Sequence, residues 1–178
     1  MRSNTSRIAL CGVIAALSVV VMFMTGVIPI ATFALPAIAG CFLIAVVAET
    51  SVRYGFAVYL VVSILSALIV PDREAALLYV IFFGYYPVLY GVLSRIRSKA
   101  LRWIVKLLVF NGAMIAETIL AFYLFSLPME ELMPFGWITI PIMLVLLNAM
   151  FILYDLSMNG LIVMYIRRLH PVVQKYLR

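Results

Sequence analysis

Five polar side chains sit inside two long apolar stretches: Asn111 and Glu117 in one, Asn148, Asp155 and Asn159 in the other. A carboxyl group within a membrane helix costs roughly 2.5–3.5 kcal/mol on insertion scales, so it turns toward other helices or a water-filled cavity. In a helix, Asn148, Asp155 and Asn159 share one face, because residues seven and four apart align. With a rise of about 1.5 Å per residue, Glu117 and Asn148 fall a few ångströms to the outer side of their segment midpoints. Asn111 and Asp155 fall a similar distance to the inner side. Antiparallel neighbours then form an outer layer, Glu117 with Asn148, and an inner intramembrane pair, Asn111 with Asp155. Two kinds of chemistry suit such layers. One is hydrogen-bonded glue between helices. The other is the polar floor of a ligand pocket, for which the outer layer is the better placed.

A second group lies nearer the water. Asp72, Arg73 and Glu74 occur together, with Tyr79, Tyr85, Tyr86, Phe135 and Trp137 around them. Aromatic residues at this depth form interfacial belts or, over a pocket, cover a flat ligand. Acidic residues would favour a cationic group on that ligand, and Arg73 a carboxylate. The candidate substrate-binding residues are therefore Arg73, Asp72, Tyr79, Tyr86, Glu117 and Asn148. No phosphate-binding loop, G-x-S-x-G, H-E-x-x-H or paired-histidine pattern occurs, and the one histidine, His170, reads as an incidental interfacial residue. Cys11 and Cys41 have no metal-type spacing and read as small packing residues. No catalytic residue, metal or cofactor is expected, and the chain does not read as an enzyme.

The elements that must position these groups are helices. Of 178 residues, 67% are hydrophobic and 11% charged; a soluble domain of this size could not hide so much apolar surface, which makes this an integral membrane protein. Six apolar segments follow one another in a single all-α domain: about Ile8–Val27, Pro36–Ala48, Tyr54–Val70, Ala75–Leu93, Trp103–Phe125 and Trp137–Ile166. The second is short for a crossing. The first reads as a retained helix rather than a cleaved signal.

Charge sets the topology. Arg2, Arg7, Arg53, Arg95, Arg97, Lys99, Arg102, Lys106, Arg167, Arg168, Lys175 and Arg178 fall on one side if all six segments cross, and only Arg73 on the other. That split places both termini in the cytoplasm by the positive-inside rule. Because the basic residues cluster at segment ends, the net charge of +6 points to the bilayer surface, not to nucleic acid. Asp72 is positioned to cap the fourth helix, and Pro87, after Gly84-Tyr85-Tyr86, predicts a kink within it. Pro128 and Pro134 bound the last outer loop. The first helix carries Ala9, Cys11, Gly12, Ala15 and Ala16; Gly12-x-x-x-Ala16 lets backbones approach closely, either within this bundle or against another membrane subunit.

Taken together, RIALCGVIAALSVV, FALPAIAGCFLIAVVAETSVRYGFAVYLVVSIL and NAMFILYDLSMNGLIVMYIRRL resemble the first, second-to-third and last helices of the substrate-binding S components of energy-coupling factor (ECF) transporters. In that family the first helix commonly carries an A-x-x-x-A contact motif; this chain has Gly12-x-x-x-Ala16 in its place. The resemblance implies a six-helix cell-membrane protein that captures a vitamin or related micronutrient from outside. It also implies a transmembrane coupling subunit and two ATPase subunits as partners, with ATP-driven toppling carrying the ligand inward. Gly12, Ala16 and Ala9 would then be docking residues. Two other readings of the residues stand beside it. One is a scaffold subunit of an envelope-building complex, with the buried polar groups as glue. The other is a stand-alone proton-coupled or lipid transporter, with Glu117 and Asp155 as a relay.

Overall fold

The structure is a computed structural model that describes residues 4–125 and 136–171. The outer stretch with Pro128, Glu130, Glu131, Pro134 and Phe135 lies outside the described residues, as do Arg2, Lys175 and Arg178. The described chain is all helix and turn. Helix α1 spans Asn4–Phe23, α2 Ala34–Cys41, α3 Leu43–Glu49, α4 Val52–Ile69, α5 Arg73–Leu78, α6 Tyr86–Leu93, α7 Lys99–Phe125 and α8 Thr139–Met164. These combine into six rods. Five are long and apolar enough to cross a bilayer, and the sixth, Ala34–Glu49, is shorter. The protein is thus a multi-pass membrane protein by the length and composition of its helices. Ile64, Leu108, Ile115, Leu153 and many other large apolar side chains point outward, as lipid allows and water would not.

At about 1.5 Å per residue the short rod reaches only about 24 Å, against a hydrocarbon core of roughly 30 Å. It nevertheless runs from one end of the bundle to the other. Just before it, Thr32 Oγ1 donates to Asp72 Oδ2 at 2.9 Å, in the turn that opens α5. At its far end Glu49 meets Tyr165 and His170, at the close of the last rod. The bundle ends close the length gap: 3₁₀ turns at Met24–Gly26 and Pro29–Ala31 carry the chain between α1 and α2.

The fourth rod is broken where proline chemistry predicts. Pro87 has no N–H for the carbonyl four residues back, which belongs to Phe83. Residues Tyr79–Phe83 widen into a π turn, closed by Gly84 N donating to Tyr79 O at 2.8 Å, before α6 resumes at Tyr86. The exposed Phe83 carbonyl is met by Gly40 of α2, where an added Cβ would collide with that oxygen. Asp72 caps α5 as expected, with Ala75 N donating to its Oδ1 at 3.0 Å. Two apolar clusters fill the bundle. One gathers Met22, Ala39, Leu43, Val46, Val58, Val62 and Tyr79 from α1 to the π turn; the other gathers Phe82, Tyr86, Phe110, Phe151 and Met158 from the π turn to α8. Phe110 and Phe151 stack with centroids 4.5 Å apart.

Gly40→Ala is expected to destabilise the protein by about 1–3 kcal/mol through overpacking. Gly12→Ala, where a new methyl group meets nothing, is expected to leave the melting temperature in detergent unchanged or slightly higher. Equal melting temperatures for the two variants would show that the α2 backbone does not rest on Phe83.

Candidate functional site

The inner face of α8 carries a ladder of polar rungs. At its middle, Asn148 and Asn111 of α7 exchange reciprocal hydrogen bonds, each Nδ2 donating to the other's Oδ1 at 3.0 Å. Each amide's second hydrogen goes back to its own helix, to Leu144 O and Leu107 O at 2.8 Å. Both –NH2 groups are thereby spent. One rung closer to the basic end, Asp155 Oδ1 accepts from Lys106 Nζ at 2.6 Å and from the Tyr86 hydroxyl at 2.5 Å. One turn further, Tyr90 OH donates to Asn159 Oδ1 at 3.1 Å. Tyr86 and Tyr90 are four apart, as are Asp155 and Asn159, so α6 and α8 run parallel with matched register.

Lys106 and Asp155 are only 4% and 3% exposed. A charge in this setting is tolerable only when it is paired and hydrogen-bonded. The ammonium also lies 4.1 Å from the Tyr90 ring centroid and 5.4 Å from that of Trp103, so its remaining face meets aromatic π density. The polar face of Asn148, Asp155 and Asn159 is therefore the interhelical seam that its spacing predicts.

The pairing along that seam differs from expectation. Asn148 meets Asn111, not Glu117, and Asp155 meets Lys106 and Tyr86, not Asn111. Two physical reasons account for this. Segment midpoints misplace the register, because α7 begins at Lys99, before the apolar run at Trp103. A carboxylate in a medium of low dielectric is also stabilised far more by an ammonium than by an amide. Lys106 belongs to this seam and not to the interfacial basic cluster, which corrects the charge split by one residue. Its sequence signal was its position one turn deeper than Arg102, flanked by Val105 and Leu107.

The expected rim anchors divide into two kinds. Asp72 is engaged through both oxygens, by Thr32 and by the α5 backbone. Arg73 Nη1 donates to Ala67 O at 2.7 Å, capping the end of α4. Tyr86 is fully buried and bonded to Asp155. These three hold the fold. Tyr79 and Glu117 are different. The Tyr79 hydroxyl is buried without a hydrogen-bond partner among the described residues. Glu117 is half-buried and has no hydrogen bond among the described residues. On α1, Ala9, Gly12 and Ala16 all face outward.

A second buried cluster escapes sequence reasoning. Glu49 Oε1 accepts from Tyr165 OH at 3.1 Å and lies 2.5 Å from His170 Nδ1, with the Glu49 side chain fully enclosed. Its signal was available: Glu49 is the one carboxylate at an otherwise basic end of the bundle. His170 is accordingly a structural partner and not an incidental interfacial residue.

Compared with known protein families, characterised proteins and solved structures, the chain matches none. Asp155→Leu strands the Lys106 charge and is expected to cost about 3–5 kcal/mol, while Lys106→Met/Asp155→Leu removes both charges and recovers most of it. A double-mutant cycle on melting in detergent checks this, and strictly additive losses would show that the two side chains do not interact.

Proposed function

We propose that this chain is the substrate-binding membrane subunit of an ECF-type importer. It takes up a vitamin or related small micronutrient from outside and works with a transmembrane coupling subunit and two ATPase subunits. Both termini are cytoplasmic in this reading, in line with the placement of the basic residues. The observation that supports it most is the outward face of α1. Ala9, Gly12 and Ala16 point away from the bundle, and a Cβ at Gly12 would meet nothing within 4 Å. The small residues are therefore not spent on packing within this chain, and close approach by another helix is the use that remains. Glu117, half-buried, adds a polar group with unused bonding capacity on the side where a ligand would arrive.

The ladder on α8 favours one alternative, a scaffold subunit of an envelope-building complex, because Asn111, Asn148, Lys106 and Asp155 act as glue between helices. A proton relay through Glu117 and Asp155 loses support, since Asp155 is held by Lys106 and Tyr86 rather than facing Glu117.

Gentle purification from membranes is expected to retain an ATPase pair and a small molecule identifiable by mass spectrometry. Gly12→Phe/Ala16→Phe is expected to cut ATPase co-purification at least about tenfold, because bulky residues hold the backbones apart. Co-purification with cell-wall or division proteins instead would favour the scaffold. Glu117→Gln is expected to weaken retention of the small molecule while leaving the protein folded; undiminished retention would remove Glu117 from the site.

A further inference from the structure

The basic end of the bundle holds a feature that substrate capture does not use. Between the start of α4 and the end of α6 lies a recess of about 510 Å³, lined by Ser51, Val52, Arg53, Val92 and Arg95. Arg53 lies in the first turn of α4 and Arg95 in the turn after α6, and both border the same space. Neither guanidinium has a hydrogen bond or ion pair among the described residues, and both side chains are exposed. No described carboxylate is available to them. Glu49 is taken by Tyr165 and His170, Asp155 by Lys106, and Asp72, Glu74 and Glu117 stand toward the opposite end.

Two like charges facing one recess repel, and an anion between them removes that cost. The backbone adds to the same potential. The eighteen-residue α4 begins here, and Ser51 at its N-cap is extended and makes no capping bond, leaving its hydroxyl and the first N–H groups unspent. Guanidinium forks match phosphate oxygens in bidentate geometry, better than they match a simple halide. The other walls are apolar: Val52, and Val92, which is 44% exposed. We propose that this recess is a binding site for a phosphate ester, with Arg53 and Arg95 clamping the phosphate, Ser51 and the α4 N-terminus donating to it, and the valines lying against its organic part. At the end of a membrane-crossing bundle, the phosphate comes from an anionic lipid headgroup or from a soluble phosphate.

The test uses the full-length protein in detergent with short-chain phosphatidylglycerol as probe, read by native mass spectrometry. Wild type is expected to retain the lipid. Arg53→Gln/Arg95→Gln is expected to retain it at least about tenfold less, the loss of two charge-assisted contacts. Val92→Trp fills the recess without altering charge and is expected to reduce retention as well. Arg167→Gln/Arg168→Gln removes the same charge at this end, outside the recess, and is expected to retain the lipid as wild type does. Inorganic phosphate that binds wild type and displaces the lipid marks a soluble phosphate as a source. Lipid retention untouched by phosphate marks the headgroup. Equal retention by wild type and the recess variants, equal loss in the Arg167/Arg168 control, or no binding of either probe to wild type would overturn the proposal.

Discussion

A carboxylate in the middle of an apolar bundle must be neutralised, and the arrangement of three rods follows from how Asp155 meets that demand. Its partners come from two other elements: Lys106 from α7 and the Tyr86 hydroxyl from α6. Lys106 in turn needs the rings of Tyr90 and Trp103 around its ammonium. Meeting one charge therefore fixes α6, α7 and α8 in register, and the Asn111–Asn148 and Tyr90–Asn159 rungs extend that register along the seam. Such a pair adds little net stability over apolar packing, but it makes alternative registers expensive.

The bilayer imposes the other constraint. With no water in its core, each backbone group needs a partner within the chain, so departures from regular helix occur only where something compensates. At Pro87 the π turn at Tyr79–Phe83, closed by Gly84 N donating to Tyr79 O, takes up the irregularity, and Gly40 lets α2 pack against the Phe83 carbonyl. At the α4–α5 turn it is Arg73 on Ala67 O and Asp72 on Ala75 N. Residues that looked like ligand anchors because they are charged and near the water are in large part closing helix ends.

The six rods, their order and the break before Pro87 were legible in the sequence because they rest on local signals: apolar run length, proline and an Asp cap. Charge placement argued that the short second rod crosses, and Thr32 and Glu49 put its two ends at opposite ends of the bundle. The identity of the polar partners was not legible. It depends on register between rods far apart in sequence, where a shift of a few residues exchanges Glu117 for Asn111 and Asn111 for Lys106. Lys106 was misread because one lysine near several arginines resembles an interfacial cluster, and only tertiary packing draws its side chain inward. Glu49 and His170 are 121 residues apart, and no local pattern links them.

The two halves of the bundle are held by interactions with different dependence on distance. Among α6, α7 and α8, sliding by a single residue would strand a charge or an amide, so the energy rises abruptly. Among α1, α2, α3 and α4 the contacts are chiefly methyl and ring surfaces, with Ser18 bonding Ala39 O as a polar exception, and such contacts change gradually with displacement. Contacts within the first half therefore tolerate small displacements that the second half does not, and Thr32 with Asp72 and Glu49 with Tyr165 and His170 tie its short rod to the other half at both ends.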